Sequence, residues 1–118
     1  MAGDISTHFS RIEFRCKCGN CEFDTVDAGL VTMLEKIRVH FQRPVTINSA
    51  CRCARHNAQV GGSARSQHLY GRAADIRVSG VEPSAVADFA ETLNPGGLGR
   101  YRTFTHIDSR NGSARWKA

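Results

Sequence analysis

No apolar run in this 118-residue chain approaches the roughly 20 residues that a membrane-spanning helix needs. A helical membrane span is therefore excluded, and the membrane is not an expected partner. The opening, Met1 to His8, has neither a basic start nor an apolar stretch, so no signal peptide is read there. The expectation is a protein made in the cytoplasm that acts there or is delivered outside by other means. Internal repeats, low-complexity segments and linkers are missing too. The length fits one core, and 1–118 is read as a single domain. Also missing is any compact stripe in which basic and aromatic side chains interleave. The arginines from Arg52 to Arg115 are scattered and aromatics make up only 8% of residues, so nucleic acid is not the expected partner.

What is present begins with charge. The formal net charge is +5 and the pI is near 9.3. Solubility accounts for most of it; the functional reading is long-range attraction to a polyanion, nucleic acid or a bacterial cell wall. A hydrophobic content of 41% with 23% charged residues describes an ordinary globular chain rather than a disordered one.

Cysteine is plentiful. Cys16, Cys18 and Cys21 lie in an N-terminal arm (1–24), and Cys51 and Cys53 follow a predicted strand. Five is odd, so not all can pair within the chain. Reduced thiols, one or two disulfides, and a structural metal compete. Cys18-x-x-Cys21 has zinc-like spacing, whereas Cys51-x-Cys53 is too tight for an ordinary zinc knuckle. A clip between the two clusters, as disulfide or structural metal, is the first reading. A redox site comes last, because no thioredoxin-like βαβ pattern surrounds the pair.

Phe9, Ile12 and Phe14 are expected to anchor the arm. From Thr25 to about Phe41, Val26, Leu30, Met33, Leu34, Ile37 and Phe41 recur at helical spacing, with Asp24 or Thr25 as cap and Pro44 beyond the end. Pro44 to Ser49 reads as a strand, Cys53 to Val60 as a short helix, and Gly61 to Ser63 as a loop. Ala73 to Val78 reads as a second strand with Asp75 opposite in facing to Ile76. A helix follows from Val81, with Pro83 early and an apolar stripe of Ala85, Val86, Phe89, Ala90 and Leu93. Leu98–Tyr101 and Phe104–Arg110 read as a hairpin, and 111–118 as a turn and tail that Trp116 pins. The fold class is α+β: a small antiparallel sheet with helices packed on one side.

The chemistry lies in Ser66-Gln67-His68-Leu69-Tyr70-Gly71-Arg72-Ala73-Ala74-Asp75 and in Thr105-His106-Ile107-Asp108-Ser109-Arg110. His68, Asp75 and His106 form a ligand set suited to a catalytic zinc, with a fourth position left for water. Any one of them alone reads more readily as a surface histidine or a turn aspartate; it is their combination that points to a metal.

The pattern Ser66-x-His68-x-x-Gly71-x-Ala73-x-Asp75 with His106-x-Asp108 resembles the signature of the D-Ala-D-Ala carboxypeptidase family of zinc peptidases. That family belongs to a wider group with lysostaphin-type enzymes and the hedgehog signalling domain. Glu13-Phe14-x-Cys16, Asn48-Ser49-x-x-Arg52-Cys53, His56-Asn57, Gly61-Gly62 and Ala114-Arg115-Trp116 extend the resemblance to the compact version found in phages and prophages. It implies a hedgehog-like peptidase fold, a zinc held by His68, Asp75 and His106, and a monomer acting on bacterial peptidoglycan after release or as part of a phage particle. It also implies that Arg52 stabilises an oxyanion or holds a substrate carboxylate, with a strand-end salt bridge as the plain alternative. Ser66, with Arg110, is placed among substrate-binding residues, although a turn hydroxyl bonding its own backbone serves Ser66 equally well.

The departure from the family pattern is the general base. Relatives carry an acid a few positions before the last histidine, where this chain has Arg102, Thr103 and Phe104. Strand alternation puts Asp108 on the face of His106, about 7 Å along the strand, which makes it the base candidate; orienting a ligand histidine or Arg110 is its other role. The expected reaction is hydrolysis of a stem-peptide or cross-bridge amide, by carboxypeptidase or endopeptidase action. A binding module that keeps the metal without turnover, and a basic nucleic-acid-binding protein with a cysteine-held zinc, are the rivals.

Overall fold

The computed structural model describes residues 5–18, 21, 24–62 and 66–117. Expectations for the first four residues of the arm, Gly19 and Asn20, residues 22 and 23, Ser63 of the loop, Arg65 and the last residue of the tail lie outside the described residues. Among the described residues, three helices, α1 (Ala28–Phe41), α2 (Ala54–Gln59) and α3 (Pro83–Glu91), accompany five strands: β1 (Val45–Ser49), β2 (Ala73–Val78), β3 (Gly97–Arg100), β4 (Thr105–Asp108) and β5 (Ala114–Lys117). Short 3₁₀ turns cover Arg11–Phe14 and Gln67–Tyr70.

The strands form one sheet in the order β1-β2-β4-β3-β5. Every neighbouring pair is antiparallel except β3 and β5, which run parallel. Part of the segment read as a tail is thus an edge strand. The period of two divides the sheet. Ala74, Ile76 and Val78 of β2, with Leu98 of β3 and Ile107 of β4, join the buried cluster that includes Leu30, Leu34 and Ile37 of α1 and Val86 and Ala90 of α3. The intervening residues, Ala73, Asp75, His106 and Asp108, point the other way.

Helix α1 begins three residues later than its apolar stripe suggests. Asp27, not Asp24 or Thr25, is the N-cap, and its carboxylate accepts a hydrogen bond from Gly29 N–H at 3.1 Å. Val26 packs on the core without being helical, so it extended the apparent period. The helix closes on Gln42 in the left-handed region, φ 52°. Helix α3 starts at Pro83, two residues after the expected Val81, and it buries Ala87 with Val86 and Ala90, while Ala85 is exposed. Phe9 and Phe14 do anchor the arm, edge to face at 6.0 Å. Ile12 does not: it is 65% exposed, because the tight 3₁₀ turn points it to solvent.

Candidate metal centre

The site grows from one cross-strand row. Register pairs Ser49 of β1 with Asp75 of β2, Asp75 with His106 of β4, His106 with Gly99 of β3, and Gly99 with Trp116 of β5. Directly paired residues share a face, so Asp75 and His106 meet without any help from loops. Gly99 has no side chain to interrupt the row, and a Cβ there would strike the indole of Trp116. Trp116 therefore lies over Gly99 with its ring centre 4.8 Å from that of His106. One row further on, Gly97 leaves the space filled by the Asp108 carboxylate.

His68 arrives separately. Ser66 caps the 3₁₀ turn Gln67–Tyr70, its hydroxyl accepting from His68 N–H at 3.2 Å. Gly71 ends that turn at φ 68°, where a Cβ would collide with the backbone of Thr25. Only glycine suits both demands, and the turn leads straight into β2 with His68 folded back toward Asp75. The His68 ring is then locked, because Nδ1–H donates to the Ala50 carbonyl at 2.6 Å. That leaves Nε2 as the lone-pair nitrogen, and it sits 3.4 Å from Asp75 Oδ2.

His106 is held from both sides. Its Nδ1 lies 3.0 Å from Asp75 Oδ1 and its Nε2 lies 2.7 Å from Asp108 Oδ2. One potential ligand atom from each of His68, Asp75 and His106 falls within 4.8 Å of the others. A metal with two imidazole nitrogens and one carboxylate oxygen fits this donor set, and zinc is the common occupant of such three-ligand sites. Burial works to raise the Asp75 pKa, but the His106 and His68 imidazoles packed against it outweigh that and hold the group at about 2. Burial works to lower that of His106, and bonds to Asp108 and Asp75 reverse the sign, leaving it raised.

Asp108 shares the face of His106 as alternation requires, but it meets the ring's far nitrogen rather than the ligand cluster. It is fully buried, and Arg110 holds it through Nε–H at 2.9 Å, Nη2–H at 2.7 Å and its backbone N–H at 3.1 Å. Despite the burial, the hydrogen bonds from His106 and Arg110 drive its pKa far down. Arg110 itself is committed to this pair and lies 5.3 Å from the Trp116 ring centre.

Arg52 reaches the cluster from beyond β1. A register shift between Ile47 and Ser49 re-aims the strand end, a common use of a bulge. The guanidinium donates to Ser49 Oγ at 3.2 Å, Asn57 Oδ1 at 3.1 Å and Asp75 Oδ2 at 3.4 Å. An open cavity of about 490 Å³ brings Arg52, Ser66, His68, Asp75, His106 and Arg110 to one wall system. Tyr101, Gln67 and Trp116 also line it, and the Tyr101 hydroxyl accepts from Trp116 Nε1–H at 2.8 Å. Asn57, buried where it steadies Arg52, stood in the His56-Asn57 motif without a role of its own, and Tyr101 was read only as the end of a strand.

Comparison with known proteins places the chain in a family. A family model described as Peptidase M15 matches residues 7–108, a span that includes His68, Asp75, His106 and Asp108. The zinc D-Ala-D-Ala carboxypeptidase of Streptomyces albus G is 34% identical over 76 residues, which covers 59% of this chain and 29% of that protein. The match thus spans less than a third of the length of this curated relative.

Proposed function

Because the chain belongs to the peptidase M15 family, we propose that it is a zinc metallopeptidase that hydrolyses an amide bond in the stem peptide or cross-link of bacterial peptidoglycan. The observation that carries the proposal is the convergence of His68, Asp75 and His106 within 4.8 Å on a cavity that Arg52 also lines. The zinc would be held by His68 Nε2, an Asp75 oxygen and His106 Nδ1. When bound, it supplies a Lewis acid that polarises a carbonyl and makes water acidic.

The chain's own residues divide the remaining work. Ala50 fixes the His68 tautomer by accepting from Nδ1–H, and Asp108 does the same for His106 by accepting from Nε2–H. Asp108 is a positioning residue in this proposal rather than the base. It has no exposed surface and lies on the far side of the imidazole. Arg52, held at three points, presents positive charge to the oxyanion of the reacting carbonyl or to a substrate carboxylate. Tyr101 accepts from Trp116, which leaves its own O–H to donate a hydrogen bond to substrate. Two neutral imidazoles and one carboxylate leave a divalent centre with one formal positive charge, which suits the same oxyanion.

The resemblance to compact phage and prophage peptidases supports a role in cell-wall lysis, with delivery after release or within a phage particle. The relative's printed name favours a D-alanyl-D-alanine terminus and carboxypeptidase action. A net charge of +5 favours an anionic wall. New amino groups released from purified peptidoglycan are the decisive readout. Release should stop with chelator, return with zinc and be lost in H68A. Undiminished release by H68A would overturn the assignment.

One observation favours a second reading, a zinc-containing wall-binding module without turnover. Among the described residues lining the cavity, Asp75 is the sole carboxylate, and it is spent on the metal. Sedimentation with peptidoglycan and no release of amino groups would select this reading.

A further inference from the structure

A second set of ligand-type side chains converges elsewhere. Cys16, Cys18 and Cys21 come from the arm and Cys53 from the N-cap of α2. Their four Sγ atoms all lie within 4.8 Å of one another. Cys16 and Cys53 are 3.7 Å apart, Cys18 and Cys21 3.4 Å, and no disulfide links any of the five cysteines. Four thiolates at the corners of a zinc tetrahedron, about 2.3 Å from the ion, stand about 3.8 Å from each other. We propose that Cys16, Cys18, Cys21 and Cys53 bind a structural zinc ion that staples the N-terminal arm to the start of α2.

Three further features fit. The backbone N–H of Cys53 donates to Cys16 Sγ at 3.3 Å, and that of His56 to Cys53 Sγ at 3.4 Å. Outer donors of this kind orient the sulfur ligands of a metal site. The Arg15 guanidinium, 3.1 Å from the Cys21 carbonyl, puts positive charge beside a centre that four thiolates would make dianionic. The odd cysteine is also accounted for. Cys51 is buried in the core with its N–H on the Phe14 carbonyl at 3.1 Å. The zinc-like spacing is therefore Cys16-x-Cys18-x-x-Cys21 with a single distant partner, not two paired knuckles.

With four protein ligands the site is closed, so its role is structural. Its consequence is positional. Cys53 follows Arg52 directly, so the ion holds the segment that carries this arginine into the cavity. Nothing in the proposal depends on the peptidase reading.

The test is metal analysis of the full chain purified under reducing conditions. Two zinc ions per chain are expected, one in H68A, and one in the C18S/C21S double variant. Cobalt-loaded H68A, whose cysteines are untouched, should show intense thiolate-to-cobalt charge-transfer bands, which keeps the test alive if the double variant fails to fold. Wild type with one ion, lost in H68A, would overturn this site and leave the peptidase reading intact. One ion retained in H68A but lost in C18S/C21S would do the reverse. Intact mass under non-reducing conditions four hydrogens short, with one zinc, would replace the ion with two disulfides and overturn the proposal.

Discussion

His106 has a carboxylate at each ring nitrogen, and the two acids do different things. Asp75 can share a metal with Nδ1, whereas Asp108 fixes the proton on Nε2 and is itself neutralised by Arg110. Partners of this kind behind a ligand histidine are worth 10- to 100-fold in metal affinity when lost, as a rough expectation. D108N should accordingly bind zinc at this site about 10- to 100-fold more weakly, read by chelator competition; unchanged affinity would remove the positioning role. R52K should keep its zinc but lose roughly a hundred- to a thousand-fold in kcat, the scale set by loss of a charge-stabilising donor, because a lysine cannot span Ser49, Asn57 and Asp75 together. The same scale holds a pH-sensitive contact far from the site. Burial works to raise the Glu35 pKa, but hydrogen bonds from Ser6 and His8 outweigh it, so the group is lowered on folding. A lowered carboxylate stabilises the fold above its unfolded pKa, about 4.3 for glutamate, and that contribution disappears as pH falls through the folded value. E35Q should therefore be less stable than wild type at pH 7, with the gap narrowing under acid, as measured by denaturant unfolding across pH.

Among the elements, β3 shows most clearly what sequence could and could not say. Gly99 falls within the strand expected over Leu98–Tyr101 and Gly97 stands just before it, but nothing local announces that the missing side chains of both admit Asp108 and Trp116. G97A should force the Asp108 carboxylate aside, costing about 1–3 kcal/mol as overpacking does and weakening zinc binding at the same time, seen as coupled losses in Tm and affinity. The long amphipathic helix, β1, β2 and the hairpin were legible because apolar periods of 3.6 and 2 mark a buried face directly. β5 was not, since a four-residue edge strand, Ala114–Lys117, is too short to show a period, and its place beside β3 is set by a parallel pairing that no local pattern announces. The direction in which Asp108 meets His106 was equally hidden: alternation fixes the face of a strand on which a side chain stands, not the nitrogen that it reaches.

At the level of the whole molecule, one sheet face builds a core and the other builds chemistry. Leu34 of α1 is fully buried in that core. L34A should cost about 2–5 kcal/mol without altering the zinc content of the folded fraction, which denaturant unfolding and metal analysis can separate. The three side chains that converge, His68, Asp75 and His106, were legible in the sequence because histidine and aspartate stand at fixed offsets around Gly71 and on β4. The cysteine cluster was only half legible: the arm's three thiols were apparent, but which of Cys51 and Cys53 joined them depends on which side of the strand end faces the core.

The chain contains a single tryptophan, and its ring centre lies 4.8 Å from that of His106. An excited indole so close to an open-shell ion transfers its energy instead of emitting. Titrating the unlabelled, metal-free protein with cobalt or copper should therefore dim its fluorescence as His106 takes up the ion. The protein thus contains its own optical gauge of occupancy, with no dye and no substrate required.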